Sequence, residues 1–437
     1  MASFHPPPAV LEIAQRLHAA GYEVWCVGGA IRDALLGHQH LDWDLATSAT
    51  PAQVRAIFGG RQTIPVGIEF GTVGVLDRDG RMHEVTTFRR DVRTDGRHAE
   101  VEFGASLDED LARRDFTINA IAFSPLTHET RDPFDGQGDL RRRIVRAVGD
   151  PNARMREDRL RALRAIRFSA RFNFTIEEKT HAAIVESAPH LGRLSPERVK
   201  QELDKTMEQV RCPSAALRMW RDTGAFGTLI SPLGHASDTA LAVPDYLAMP
   251  GTPTRPGRKL NRFAGLLVGL GARDAAAVLT SLRGSRQEIQ WVGTIVERAH
   301  LVEPPMKAAL SLRAPVTDAT VRHWVAAMGR VHVPACVRLI AARWGADRAS
   351  GAGAPAAAAV HALYRRLLRS AFRDPVDVGS LAVDGEDLQR VGIPAGPALG
   401  KILQALLTAV IEDPENNTTD WLLQEAKRLR AAHESPG

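Results

Sequence analysis

The apolar run Val24-Trp25-Cys26-Val27 ends in a Gly28-Gly29 turn, a helix-like Ala30–Leu36 follows, and the chain then reaches Leu41-Asp42-Trp43-Asp44-Leu45. No other stretch constrains the fold so tightly. A strand that breaks at paired glycines and restarts as a helix lets backbone N–H groups approach a polyphosphate. Residues i and i+2 of a strand point to one face, so Asp42 and Asp44 set two carboxylates side by side. Such a pair repels itself unless a cation lies between them, and hard divalent ions such as Mg²⁺ share carboxylate oxygens with phosphates. Alone, an Asp-x-Asp is most often a solvated loop, and a Gly-Gly pair is as weak a sign. In this order and spacing they read together as a metal-dependent nucleotidyl-transfer site.

The surrounding pattern is a small mixed α/β domain. Helical spacing over 10–20 precedes strand 24–27, helix 30–36, strand 41–45 and a helix over 51–58 that opens with Thr50-Pro51. Strands over 63–67, 71–76 and 82–88 follow, the last two joined by an Asp79-Gly80 hairpin signal. Glu84 lies on the returning strand. If that strand neighbours the one bearing Asp42 and Asp44, Glu84 completes a three-carboxylate cluster. Two metal ions about 4 Å apart can then activate a hydroxyl nucleophile and neutralise a departing pyrophosphate. The plainer role for Glu84 is a cross-strand partner for a basic residue. Residues 89–104 read as a charged loop and 106–112 as a helix. After Gly149-Asp150-Pro151 the chain reads almost entirely as helices, with breaks at 244–256 and 351–355.

A chain of 437 residues has room for two or three domains. No stretch approaches the roughly 18 uncharged apolar residues of a membrane span, and Met1–Pro8 lacks the pattern of a secretory signal. Cys26, Cys212 and Cys336 are scattered and match no zinc spacing, which points to a reducing, cytoplasmic setting. The net charge is only +5, yet Arg141–Arg221 holds 19 Lys or Arg against 10 Asp or Glu. A basic stretch of this kind suits a phosphate backbone; a solvated helical surface would look the same.

Five motifs now stand in order: Val27-Gly28-Gly29-Ala30-Ile31-Arg32-Asp33 with Leu41–Thr47, Arg113-Arg114-Asp115-Phe116-Thr117-Ile118-Asn119, Asp135-Gly136-Gln137-Gly138-Asp139, Glu157-Asp158-Arg159-Leu160-Arg161 running on to Phe168, and Ser195-Pro196-Glu197-Arg198-Val199. This series resembles the class II, bacterial-type CCA-adding tRNA nucleotidyltransferases, relatives of the bacterial poly(A) polymerases. Ile64–Val73 is similar to the CCA-adding branch and lacks the basic stretch of the poly(A) branch, although Phe70 stands where that branch usually has a histidine. The resemblance implies an α+β fold class for the N-terminal head: a polymerase-β-like nucleotidyltransferase with a mixed sheet over 1–140. An all-α neck over 141–225 and a body and tail over 226–437 follow. It implies two Mg²⁺ ions on Asp42 and Asp44 with Glu84 assisting catalysis, and CTP and ATP as substrates. The implied partner is tRNA, held at its 3′ end, acceptor stem and elbow, with no membrane and no stable protein partner. A CC-adding, A-adding or poly(A)-adding enzyme is the alternative.

The same resemblance makes Gly28, Gly29, Arg32, Arg114, Asp115, Asn119, Asp158, Arg161, Arg164 and Arg167 nucleotide-binding. Arg32 is then set to meet the triphosphate, and Asp115 to accept the ribose 2′-hydroxyl. Asp158 and Arg161 also have a rationale of their own. Three apart, they fit one helical face. A carboxylate accepts from an exocyclic amine and a guanidinium donates to a ring nitrogen. Cytosine and adenine both offer that pattern, whereas uracil and guanine offer its reverse, leaving buried groups unpaired. A surface ion pair is the competing account. By resemblance, Asp95-Gly96-Arg97 belongs to a loop that switches the pocket from CTP to ATP. Arg198, Lys200, Gly396 and Gly400 are the expected RNA contacts. The glycine-rich turn over 392–400 fits either phosphate binding or a tight turn packed on itself.

Overall fold

The computed structural model describes residues 4–38, 42–94, 99–251, 255–312 and 315–434. Two compact units divide the chain: Met1–Val210 with Ala215–His235, and Arg211–Ser214 with Ala236–Gly437. Both the 1–140 segment and most of the 141–225 segment therefore belong to the first unit.

The first unit opens with helix α1 (Pro8–Ala19), strand β1 (Val24–Val27), helix α2 (Gly29–Leu35), strand β2 (Asp44–Thr47) and helix α3 (Pro51–Phe58). Thr50 caps α3 through a reciprocal pair with Gln53, and Pro51 needs no N–H there. Strands β3 (Thr63–Gly67), β4 (Thr72–Leu76) and β5 (Met82–Thr87) complete one half of the sheet. Next come β6 (Arg89–Thr94), β7 (Ala99–Phe103), α4 (Leu107–Ala112), β8 (Ala122–Phe123) and β9 (Thr130–Arg131). The main sheet runs β3-β4-β5-β2-β1-β8-β9. It is mixed: β2 and β5 are parallel, and the other pairs are antiparallel.

β2 is therefore a central strand, and its Leu45, Ala46 and Thr47 are all buried. A fully buried Leu such as Leu45 contributes roughly 2 kcal/mol of apolar transfer. One face packs Val27 and Ala46 against Phe88, Leu107 and Leu111. The strand begins three residues later than the sequence pattern suggests, because its pairing with β1 starts at Val27↔Asp44, where β1 gives way to the glycine turn. Asp42 precedes the strand and is exposed, while Trp43 between the two carboxylates is buried. The segment read as a charged loop over 89–104 is instead a separate two-stranded antiparallel hairpin of β6 and β7. Asp95, Gly96 and Arg97, like Leu41, lie outside the described residues.

Helix α5 (Gly136–Arg142), a short strand β10 (Ile144–Val145), α6 (Pro151–Glu157), α7 (Leu160–Phe172), strand β11 (Thr175–Ile176), α8 (Glu178–Ser187) and α9 (Pro196–Gln209) follow. β10 and β11 pair in parallel, an element the helical pattern after 155 did not announce. The second unit is helical, with its longest helix at Arg286–Ser311. The predicted break at 351–355 separates helices Val333–Ala349 and Ala357–Arg373. No single described helix is long and apolar enough to cross a membrane. All three cysteines are free thiols; Cys26 and Cys336 are buried and Cys212 is exposed.

Candidate active site

The β1–α2 turn fixes the first wall of the site. Gly28 has φ +77°, and a side chain there would put a Cβ 3.2 Å from Arg114 Nη1 and 3.9 Å from Asp44 Oδ2. Glycine is thus required both by the left-handed backbone and by the closeness of a cation and a carboxylate. Arg114 is steered by two contacts, Nη2 to Asp110 and Nη1 to the Asn119 carbonyl. Its buried Nε has no hydrogen-bond partner among the described residues. An unspent donor beside a glycine turn suits an anionic ligand.

The three carboxylates converge electrostatically. β5 pairs with β2 in the register Leu45↔Val85, which sets Glu84 alongside Asp44. Burial, then the charges of Glu84 and Asp42, push the Asp44 carboxyl up to about 7, against the opposing pull of Arg114. No described ion pair joins a cation to Asp42, Asp44 or Glu84. Among the described residues, no group of three or more Asp, Glu, His or Cys side chains is placed to hold a metal ion. A pair of self-repelling carboxylates with no ion pair among the described residues, only the nearby Arg114, fits Mg²⁺, which takes one or two carboxylates and completes its shell with water and phosphate. Asp42 and Asp44 suit that role, and the exposed Glu84 raises the local negative charge.

The second motif forms a hydrogen-bonded chain from α2 to α7. Arg32 Nη1 donates to Asn119 Oδ1 at 2.6 Å, Asn119 Nδ2 donates to Asp115 Oδ1 at 2.9 Å, and Arg164 Nε donates to Asp115 Oδ2 at 2.8 Å. Burial alone would raise the Asp115 carboxyl, but Arg164, the Asn119 bond and the Arg161 charge hold it below the usual range. Asp115 is thus an ionised acceptor. The third motif supports this loop from behind: buried Asp139 accepts from Thr117 Oγ1 at 2.7 Å. A Cβ on Gly136 would collide with the Thr117 carbonyl at 2.1 Å.

The fourth motif departs from its expected geometry. Asp158 and Arg161 do not share one helix face: α6 ends at Glu157, and Asp158 is extended (φ −147°, ψ 105°) before α7 begins. The reason is local. Asp158 Oδ1 accepts from the Leu160 N–H at 3.0 Å, so its carboxylate serves the start of α7. Its Oδ2 accepts from Arg198 at 2.8 Å, which ties the fifth motif to the fourth. Arg161 donates to Glu157 and to the carbonyls of Arg154 and Arg113. Arg167 is buried against Glu202 at 2.6 Å. Lys200 pairs with Asp204 one turn on, with a side chain only 13 % exposed. In the second unit, Gly396 and Gly400 are exposed at the start of helix Pro397–Glu412, with open space where a Cβ would stand.

Asp110 and Glu202, both about 1 % exposed, were missed in the sequence and orient three of the arginines. Asp110 had a signal, since it precedes Arg113 and Arg114 at helical spacing. Glu202 had none, because its partner is 35 residues away.

The catalytic-head geometry has known counterparts. Residues 24–146 match the model of the poly A polymerase head domain, and 173–235 match the probable RNA and SrmB-binding site of polymerase A. A CCA-adding enzyme of Latilactobacillus sakei is 34 % identical over 430 residues, covering 98 % of this chain and 100 % of the relative. The crystal structure of the Bacillus stearothermophilus CCA-adding enzyme with CTP superposes with a TM-score of 0.76 at 32 % identity, covering 98 % of this chain and 100 % of that one. A Thermotoga maritima CCA-adding enzyme complexed with tRNA shares the fold, with a TM-score of 0.68 at 21 % identity over 98 % of this chain and 97 % of that one.

Proposed function

The chain belongs to the bacterial CCA-adding enzymes, and from that membership we propose how its own residues perform the reaction. The enzyme is a tRNA nucleotidyltransferase that adds C, C and A to the tRNA 3′ end from CTP and ATP, with no nucleic-acid template. The RNA 3′-hydroxyl attacks the α-phosphate, the bond to the β-phosphate breaks, and pyrophosphate leaves. The observation that carries the site assignment is the meeting of Asp44, Arg114 and the Gly28 turn within a few ångströms.

Asp42 and Asp44 would hold Mg²⁺ in this proposal. Bound there, the metal would supply activation of the hydroxyl and offset the charge on the leaving pyrophosphate. Glu84 sharpens the negative field around Asp44 and so favours the cation. Gly28 and Gly29 offer backbone, and Arg32 and Arg114 offer charge, to the triphosphate. Asp115, kept ionised, accepts the ribose 2′-hydroxyl and finds no donor on a deoxyribose, while Asn119 holds it in place. Asp158 and Arg161 choose the base; both already hold protein partners, so a correct base must exchange for those contacts. Arg164 and Arg167 line the same neck. We assign catalysis to the head (1–140), base choice to the neck (141–225), and the grip on tRNA acceptor stem and elbow to the body and tail (226–437). Arg198 joins base selection through Asp158. The exposed Gly396 and Gly400 are better placed for RNA phosphates than Lys200, whose charge is spent on Asp204. Free cysteines suit the cytoplasm.

A tRNA transcript ending at the discriminator base, incubated with CTP, ATP or both and sequenced at its 3′ end, tests this reading. CC from CTP alone and CCA from both are expected. A halt at CC with both nucleotides, or a long A tail, would assign a different product.

A further inference from the structure

Arg32 is 4 % exposed, unusual for a residue that must meet a triphosphate. Its surroundings explain how it stays aimed. Nε donates to Asp33 at 2.7 Å and Nη1 to Asn119 at 2.6 Å. Nη2 makes no hydrogen bond to the described protein and lies at the glycine turn, 3.5 Å from where a Cβ on Gly29 would be. The guanidinium carbon lies over aromatic rings from another element. Arg32 Cζ is 5.0 Å from the Phe168 ring centre and 4.8 Å from that of Phe172. These rings, four residues apart on α7, are nearly parallel at 8° and 6.0 Å. Phe168 is braced edge-on by Phe116 of the second motif, at 84° and 5.8 Å. Arg171 stacks on Phe172 and reaches Asp33, the same carboxylate that holds Arg32 Nε.

We propose that Phe168 and Phe172 are positioning residues: a two-ring platform on α7 that holds Arg32 with its open Nη2 edge toward the Gly28-Gly29 turn and the nucleotide's triphosphate. The inference rests on the functional reading above. Hydrogen bonds donated to Asp33 and Asn119 fix two corners of the guanidinium in its plane, but only a face contact prevents it from tipping out of that plane. Phenyl rings supply it through their negative faces without competing for the donors the phosphate needs. Leucine at either position would fill similar volume and lack that face.

The test compares Phe172→Leu and Phe172→Tyr in the full-length enzyme, because Phe172 is only half-buried and tolerates both changes in packing. Equilibrium binding of CTP and of CMP is measured for each. Phe172→Leu should weaken CTP about three- to tenfold, the range of one cation–π contact, while CMP binding stays within twofold. Phe172→Tyr should restore CTP binding. In an Arg32→Gln background Phe172→Leu should have little further effect, since the cation of the coupled pair is already gone. Equal CTP affinity in the Leu and Tyr variants, or equal losses for CTP and CMP, would overturn the platform and leave the enzyme assignment intact. A wild-type protein that binds neither nucleotide would remove the assignment and the platform together.

Discussion

Asp44 carries opposed demands at the scale of a single side chain. Its carboxyl is raised to about 7 by burial and by its two acidic neighbours, so the metal-free folded protein keeps a proton that the unfolded chain releases near pH 4. Stability therefore falls as pH rises from about 4 to 7 and stays low above that window. Asp44→Asn should raise the melting temperature of the EDTA-treated protein at pH 8 by about 2–4 °C and change it little at pH 4. The same variant should lower nucleotide transfer by about a thousandfold or more while tRNA binding, measured by filter retention, persists. A melting gain without the loss of transfer would remove Asp44 from catalysis. Asp158 is tested more finely. Asp158→Asn keeps an acceptor for the Leu160 N–H but loses its charge, so it should admit UTP more readily with little change in melting. Unaltered discrimination against UTP, read by sequencing 3′ ends, would take base choice away from it.

At the scale of elements, the β1–α2 turn and the α6–α7 junction set the site's precision. Gly28→Ala forces a Cβ into a left-handed backbone and toward Arg114; KM for CTP should rise about tenfold, at a stability cost of about 1–2 kcal/mol. Glu202→Ala leaves the Arg167 charge buried and unpaired, and should destabilise the first unit by about 3 kcal/mol, seen as a lower urea midpoint. Elements of this kind were unequally legible in the sequence. The strand–turn–helix around Gly28 was readable, because glycines, apolar runs and Thr50-Pro51 are local signals. The start of β2 was not, since it depends on where β1 ends. The β6–β7 hairpin read as a loop because Arg89–Thr94 holds a single apolar residue among charges, although Ala99–Phe103 does alternate apolar and charged residues. The break at Asp158 was hidden by Leu160, Leu163 and Ile166, whose helical spacing belongs to α7 alone. The aromatic platform was hidden for the opposite reason: Phe168 and Phe172 at i,i+4 look like ordinary core.

For the molecule as a whole, charge is the governing quantity. The basic excess over 141–221 predicts that KM for tRNA rises about tenfold or more between 50 and 200 mM salt, whereas KM for CTP moves much less. Equal salt sensitivity of both would argue against an extended RNA contact. The two compact units also differ in what their chemistry permits. Cys26 is buried, with its thiol pushed far up by burial and by Asp44. Cys336, in the second unit, is pushed up to about 12, chiefly by burial. Thiolates are the reactive species, so neither responds to maleimides near neutral pH. Cys212 is exposed and sits in Arg211–Ser214, the short stretch where the chain enters the second unit before returning to the first. The native protein thus comes with one addressable attachment point, and a fluorophore could be fixed at that crossing without altering a single codon.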